Sequence, residues 1–169
     1  MLIIFSGLPG VGKTTISRKL AQALKAVYLR VDTIEQALTS TTNSDFIGPE
    51  GYVISYAIAK ENLKLGLNVV ADCVNPLEIT RKAWRKVALE ADSTYFEVEL
   101  ICSNIGEHRK RVESRLPDIC NHRLPTWQEV VDKDYETWKY PVFVFDTSKL
   151  SVDRCVEGIL QQISVSSQS

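Results

Sequence analysis

The 169-residue sequence lacks the features that would direct it to a membrane or to nucleic acid. Its formal net charge is only −1, so it has no overall positive field to attract nucleic acid or an anionic membrane surface. No apolar run approaches the length of a membrane span, and the start of the chain shows no charged segment followed by a cleavage site. We therefore expect a cytoplasmic protein with no membrane or nucleic-acid partner.

The four cysteines lack any spacing that indicates a disulfide framework or a zinc site. None belongs to a C-x-x-C pair, and two lie in apolar runs typical of strands, which favours buried, reduced thiols. Cys120 and His122, with His108 nearby, could be imagined as metal ligands, but their spacing fits no standard zinc pattern.

The sequence also lacks internal repeats and linkers. Its hydrophobic content of 44% is ordinary for a globular protein, and its length suffices for one sizeable core. We expect one domain over residues 1–165 and a disordered serine-rich tail over residues 166–169. A monomer and a homodimer are both compatible with the sequence.

The strongest motif that is present follows the apolar run Leu2–Phe5. Gly7–Thr14 matches G-x-x-x-x-G-K-[ST], with a strand pattern before it and a helix pattern after it. Glycines allow successive backbone N–H groups to face an anion, and the following helix adds the positive end of its dipole. Lys13 can reach the outer phosphates, and the Thr14 hydroxyl can ligate Mg²⁺. The residues expected to bind the nucleotide here are Gly7, Leu8, Pro9, Gly10, Val11, Gly12, Lys13, Thr14 and Thr15.

After this loop the chain alternates helix and strand patterns. Further strands are predicted over residues 27–31, 69–71, 95–102 and 141–145. Helices are predicted after the loop, over 34–38 and 51–65, from Asn75-Pro76 to Ala91, over the basic segment near residue 110, from the capping box Thr126–Glu129 to Trp138, and over 152–163. This alternation indicates an α/β fold with a five-stranded parallel sheet covered on both faces.

Aspartates follow three of the predicted strands, at the edge where such sheets bind ligands. Asp32, near the trapped γ-phosphate, is our candidate general base for an attacking hydroxyl, and Asp72 would hold Mg²⁺ directly or through water. Asp32 could instead only cap a helix, and Asp72 only form a turn. Asp146 is assigned to a turn, with Thr147 and Ser148 passing near the adenine.

A basic segment forms the third group of candidates. His108, Arg111 and Arg115 share a helical face, and a Leu-Pro-Asp break then places Arg123 on a separate segment. Guanidinium groups on a closing helical lid, about residues 106–126, would stabilise the charge of the transferred phosphoryl group. We assign Arg111 to nucleotide binding and the other two arginines to catalysis. A solvated charged face is the alternative.

The acceptor site is expected between the loop around Asn43, the helix that carries Tyr52 and Tyr56, and the helix opened by Asn75. Arg81, about one turn into that last helix, would face the cleft and suit an anionic acceptor. Alternatively, the two tyrosines are core aromatics.

The chain resembles small single-domain P-loop kinases, the bacterial "AAA family ATPase" kinase-like proteins. Beyond the loop, the resemblance rests on Asp32, Val69–Pro76, Thr80–Arg85, His108–Glu113 and His122–Trp127. Adenylylsulfate kinase, gluconate kinase, chloramphenicol phosphotransferase and zeta toxin share this plan. The resemblance implies a three-layer P-loop NTPase fold with the sheet order 2-3-1-4-5, ATP with Mg²⁺ as cofactors, and a lid carrying the arginines.

Together these residues predict transfer of the γ-phosphate of ATP to a hydroxyl of a small-molecule acceptor, with Lys13, Asp32, Arg115 and Arg123 in catalysis. The residues after Asp32 lack the arginine that adenylylsulfate kinases usually place there. A GTPase would need an N-K-x-D motif, which residues 132–135 only faintly echo, and no switch glycine follows Asp72. A regulatory ATP-binding module without phosphate transfer is the other alternative.

Overall fold

The structure, a computed structural model, describes residues 1–42 and 48–166. In this part of the chain the strands are β1 (Leu2–Ser6), β2 (Val27–Arg30), β3 (Val69–Asp72), β4 (Tyr95–Ile101) and β5 (Phe143–Asp146). The helices are α1 (Lys13–Leu24), α2 (Val31–Thr42), α3 (Glu50–Lys64), α4 (Glu78–Glu90), α5 (Ile105–Ser114), α6 (Trp127–Val131) and α7 (Val152–Ser166). Across the described ranges, no helix combines the length and the apolar character that a membrane crossing requires.

The strands form one parallel sheet in the order β2-β3-β1-β4-β5. β1 lies at the centre, with Leu2 opposite Val69 of β3 on one side and Tyr95 of β4 on the other. Every residue of β1 is buried, which accounts for its unbroken apolar run. The α/β fold and the strand order implied by the resemblance are confirmed.

Helices cover both faces of the sheet and give it three layers. Because side chains alternate across a strand, Ile3 and Phe5 of β1 join one core with α1 and α7, whereas Leu2 and Ile4 join a second core with α3 and α4. Each such side chain contributes about 1.5–3 kcal/mol by its burial. With both faces covered, the carboxyl ends of the strands are where a ligand can enter.

The first difference from the sequence prediction is α2, which follows β2 without a connecting loop. It spans Val31–Thr42, whereas the sequence predicted only a short helix over 34–38. Hydroxyl side chains at residues 39–41 bond to carbonyls of the preceding turn, so residues that favour loops continue the helix. Asp32 therefore lies in the first turn of a helix and not at the end of a strand. The expected loop around Asn43 lies outside the described residues.

The predicted start of α4 is also wrong. The helix begins at Glu78 after an N-cap at Leu77, two residues later than the sequence predicted. Asn75 is not the cap, because its φ of 49° places it in the left-handed region. It forms part of the turn that leads from β3 to the helix.

The helix opened by Thr126 is shorter than predicted. Its capping box with Glu129 is present, but α6 ends at Val131, and Tyr135 and Trp138 lie beyond it. Val130 is buried, whereas Val131 is exposed and does not belong to a buried face. Five residues are too few for a helix to be stable by itself, so the cap and its tertiary contacts hold α6.

At the other end of the chain, α7 extends to Ser166 and so includes the first residue of the expected tail. Residues 167–169 lie outside the described part of the chain.

Candidate active site

A cavity of about 710 Å³ lies at the carboxyl ends of β1 and β3. Its walls come from the loop between β1 and α1, from α1 and α2, from the end of β3, and from the segment 111–133. This is the position that the Gly7–Thr14 motif and the parallel sheet predict for a phosphate ligand.

The loop between β1 and α1 can be built only with glycine at two of its positions. Gly7 has a φ of 134°, and a Cβ there would lie 2.3 Å from the carbonyl oxygen of Leu100. Gly10 has a φ of 85°, and a Cβ there would lie 2.5 Å from Cγ2 of Val112. Because no other residue avoids these contacts, the loop can press against β4 and α5 while its N–H groups line the cavity.

Lys13 is buried at the start of α1 and lies under the loop. Its Nζ donates hydrogen bonds to the carbonyl oxygens of Gly7, at 2.8 Å, and Leu8, at 2.9 Å. Burial lowers the pKa of Lys13, while the carboxylates of Asp72 and Asp32 act in the opposite direction. A buried ammonium group beside a nest of N–H groups is suited to a phosphate anion.

Thr14 and Asp72 both line the cavity and offer oxygen atoms of the kind Mg²⁺ prefers. Asp72 is 2% exposed, and its Oδ2 accepts a hydrogen bond of 2.6 Å from Tyr28. Among residues 1–42 and 48–166, no group of three or more His, Cys, Asp or Glu residues could hold a metal alone. The donor set fits a Mg²⁺ ion whose remaining ligands are phosphate oxygens and water.

Asp32 lines the same cavity from the first turn of α2. Its Oδ2 lies 3.6 Å from Nη2 of Arg30, and its side chain is 32% exposed. Arg30 is itself buried between the carboxylates of Asp32 and Asp72, and its Nε lies 4.0 Å from Oδ2 of Asp72. A solvent-accessible carboxylate beside the phosphate loop can accept a proton from a bound hydroxyl.

The first part of α5 is joined to the phosphate loop. Nε2 of His108 lies 2.8 Å from the carbonyl oxygen of Pro9, and the ring is buried against Trp127 at a centroid distance of 5.2 Å. Arg111 donates to the backbone oxygen of Thr147 at 2.9 Å and to its hydroxyl at 2.8 Å. The Thr147 hydroxyl in turn donates to Val11 of the loop at 2.8 Å. These contacts make α5 a support for the loop, a role that its sequence did not suggest.

The remaining basic residues line the cavity from beyond α5. The helix ends at Ser114, so Arg115 is its C-cap and does not continue the predicted helical face. Arg115 lies 3.8 Å from Asp118. Asp118 also accepts two hydrogen bonds from Arg30, at 2.7 and 3.1 Å, and forms an ion pair with Arg18 at 3.0 Å. The hydrogen bond from Arg30 lowers the pKa of Asp118 to about 2.

Arg123 belongs to the same wall but has a different surrounding. Its side chain is 79% exposed and pairs with Glu129 at 2.6 Å. Arg111, Arg115 and Arg123, the three arginines predicted for the lid, thus all line the cavity.

The prediction that Arg81 faces the cleft is wrong. Arg81 is fully buried and donates to the backbone oxygens of Asn75, Pro76 and Glu136, while its guanidinium lies 3.9 Å from the ring centroid of Trp138. A helix that starts two residues later than predicted turns each residue by about 200° relative to the expected face. Arg81 consequently serves the structure and does not line the cavity.

Tyr52 and Asn75, the other predicted acceptor residues, also lie away from the cavity lining. Tyr52 accepts a hydrogen bond of 3.0 Å from the backbone N–H of Asn75, and the Asn75 side chain donates to Ser6 at 3.0 Å. Tyr56 contacts Trp84 edge-on at 4.6 Å. The tyrosines are core aromatics, which was the alternative interpretation of the sequence.

Glu35 is a cavity residue that the sequence did not suggest. It lies three residues after Asp32, so the two share one face of α2, and both line the cavity. Burial, with Asp32 adding to it and Lys133 opposing it, raises the pKa of Glu35 to about 7. The helical spacing would have revealed the pair, had the sequence indicated that α2 begins before Asp32.

Comparison with known proteins finds one matching family and several similar kinases. A family model described as an AAA domain matches residues 2–125. The adenylyl-sulfate kinase of Synechococcus sp. (strain JA-3-3Ab) is 25% identical over 170 residues, which cover 94% of this chain and 91% of that protein.

Solved structures share the fold along nearly the whole chain. The Mycobacterium tuberculosis APS kinase CysC, in complex with AMPPNP and APS, gives a TM-score of 0.68 at 17% identity and 96% coverage of each chain. A gluconokinase from Sinorhizobium meliloti 1021 gives a TM-score of 0.59 at 17% identity and 95% coverage of each chain.

Proposed function

The chain belongs to the AAA domain family, whose model matches residues 2–125, and from this premise we propose that it is a P-loop kinase. It transfers the γ-phosphate of ATP to a hydroxyl of a small-molecule acceptor. The similarity to adenylyl-sulfate kinases supports phosphate transfer to a small molecule.

The observation that carries the proposal is one cavity that holds both a phosphate site and a carboxylate base. The phosphate loop, Lys13 and Thr14 line one part, and Asp32 lines another. A protein that only sensed ATP would not need an accessible carboxylate facing the phosphate site, whereas a kinase needs one to receive the proton of the acceptor hydroxyl.

The residues of the loop bind and orient the nucleotide. Backbone N–H groups and the N-terminus of α1 hold the phosphates, and Lys13 exchanges its bonds to the Gly7 and Leu8 carbonyls for phosphate oxygens. Thr14 and Asp72 would hold Mg²⁺, which neutralises charge on the phosphate oxygens.

Transfer then forms one bond and breaks another. The acceptor oxygen bonds to the γ-phosphorus, the bond from that phosphorus to the bridging oxygen breaks, and ADP leaves with the electron pair. The acceptor proton moves to Asp32. Arg115 and Arg123, which line the same cavity, stabilise the charge that spreads over the γ-oxygens.

An Asp32→Asn variant tests the proposal. Because the amide cannot accept the proton, we expect kcat for phosphate transfer to fall by about 10²–10⁴-fold, while ATP affinity stays within about threefold. Product formation is measured by mass spectrometry with a panel of hydroxyl acceptors, and ATP affinity by calorimetry.

The matched control is Asp92→Asn, which makes the same chemical change at an exposed turn of the α4–β4 connection. Full turnover in Asp32→Asn would remove Asp32 as the base. ATP binding without phosphorylation of any acceptor would favour a regulatory module.

A further inference from the structure

Two acidic side chains, Asp32 and Glu35, line the cavity along α2. Asp32 and Glu35 project from one face of α2, and Tyr52 and Gly51 of α3 lie beside Glu35. Lys133 is the cation near enough to Glu35 to lower its pKa. An acceptor that carries its own anionic group along this face of α2 would therefore meet two carboxyl groups and would be repelled when they are ionised.

Arg30, the guanidinium beside Asp32, already faces carboxylates. It lies 3.6 Å from Asp32 and 2.7 Å from Asp118, and Asp118 also pairs with Arg18 at 3.0 Å. An anionic acceptor would have to displace one of these partners, whereas a neutral acceptor would leave them in place.

Glu35 itself has no partner among residues 1–42 and 48–166. Its side chain is half-buried, and neither a hydrogen bond nor an ion pair engages its carboxyl group in this part of the chain. A half-buried carboxyl group without a partner costs free energy, and such groups in clefts are candidates for ligand contact.

We propose that Glu35 determines acceptor specificity by hydrogen-bonding a second hydroxyl of a neutral, polyhydroxylated acceptor, next to the hydroxyl that Asp32 deprotonates. This inference rests on the proposed kinase function. Residues three apart on a helix have Cβ atoms about 5–6 Å from each other, so the two carboxyl groups can reach hydroxyls on adjacent carbon atoms. A carboxyl group that is partly protonated near neutral pH both donates and accepts, as a hydroxyl does.

Matched acceptors that differ in charge test the substrate class. The panel contains neutral polyols (glucose, myo-inositol, ribitol, glycerol) and anionic compounds (gluconate, glycerate, adenylyl sulfate), each supplied with ATP and Mg²⁺. We expect phosphorylation of at least one neutral polyol, with kcat/KM about tenfold or more above that of its anionic counterpart.

Variants of Glu35 test the residue. Glu35→Ala should raise KM for the accepted polyol about tenfold and change kcat less than about threefold, since it removes a binding contact and not the base. Glu35→Gln keeps both hydrogen-bonding roles, so its KM should stay near that of the wild type. Its KM should also be constant from pH 6 to 8, where the wild-type KM varies. Glu61→Gln, on the exposed surface of α3, is the matched control.

Failure of this inference can be distinguished from failure of the kinase function. Phosphorylation confined to anionic acceptors, or an unchanged KM in Glu35→Ala, overturns the inference. The kinase function would still be supported in either case if Asp32→Asn abolishes the phosphorylation that the wild type carries out. If no acceptor of either charge is phosphorylated, both proposals fail.

Discussion

At the scale of the residue, Arg81 shows how a charged side chain can serve the fold of a catalytic domain without touching the ligand. Its guanidinium joins the turn after β3 to the segment after α6 through three backbone oxygens, on Asn75, Pro76 and Glu136. The aromatic rings of Tyr135 and Trp138 cover it. A planar group with several donors is suited to this task, which a lysine could fill only in part.

We expect Arg81→Ala to lower the free energy of unfolding by about 2–4 kcal/mol, because the substitution leaves buried carbonyl groups without donors. Arg81→Lys should lose less. Urea denaturation measures both, with Lys82→Ala at the adjacent exposed position as the control. A stable Arg81→Ala variant with a raised KM for the acceptor would contradict this structural role and indicate that Arg81 binds the acceptor.

The second prediction at this scale concerns Glu35 and pH. The pKa of Glu35 in the folded protein is about 7, above its ordinary value of 4.5, so the folded state binds the proton more tightly than the unfolded state. Stability contributed by this group is therefore present at low pH and is lost as pH rises from 4.5 through 7. Within residues 1–42 and 48–166, Asp32 and Lys133 are the charged groups that act on it.

Glu35→Gln should consequently be more stable than the wild type at pH 8 and close to it at pH 4.5. Urea denaturation at both pH values measures the difference. A constant difference between the two variants across this range would contradict a raised pKa.

At the scale of the element, α5 is fixed to the phosphate loop, and Arg115 follows directly after its last residue. His108 and Arg111 attach it to the phosphate loop and to Thr147, so the helix should move with the loop and not with a lid. The segment that can close over the nucleotide then begins at Arg115, where the helix ends.

His108→Ala should weaken ATP binding about fivefold to tenfold, because it removes the hydrogen bond that holds Pro9 in the loop. Calorimetry with a non-hydrolysable ATP analogue measures the change. Arg109→Ala, on the exposed side of the same helix, should bind like the wild type. Equal affinities in all three proteins would show that α5 does not shape the loop.

The elements also show which parts of the structure a sequence can reveal. The phosphate loop and the sheet follow from local patterns, namely glycine spacing and apolar runs such as Leu2–Phe5. The start of α4 and the contacts of Asp118 do not, because they depend on residues far apart in the chain. Arg30 and Asp118, for example, are separated by 88 positions. The sequence therefore revealed a basic segment, but not that Asp118 within it pairs with Arg18 and Arg30 from the other end of the chain.

At the scale of the whole molecule, the nucleotide should act as a stabilising ligand. The cavity joins the phosphate loop, α1, α2, the end of β3 and the segment 111–133, so ATP with Mg²⁺ would connect parts that are distant in sequence. A ligand present at 100 times its Kd stabilises a protein by about 2.7 kcal/mol when it binds only the folded state.

We expect a non-hydrolysable ATP analogue to raise the Tm, and chelation of Mg²⁺ to remove part of that rise. Asp72→Asn should lose the Mg²⁺-dependent part, because an amide oxygen is a weaker ligand than a carboxylate. Thermal unfolding measures these shifts, with Asp92→Asn as the control. An Asp72→Asn variant that responds to Mg²⁺ like the wild type would exclude Asp72 as a ligand.

The central position of β1 has a consequence for biosynthesis. Because β1 pairs with β3 and β4, it has no hydrogen-bonded neighbour until the ribosome has made the chain as far as Asp72, and it lacks the second until Ile101. At translation rates of about 5–20 residues per second, its apolar residues wait roughly 5–20 s for both partners. During that interval the strand is a natural target for a ribosome-associated chaperone, so the strand that leads into the phosphate loop is also the one most exposed to misassembly during synthesis.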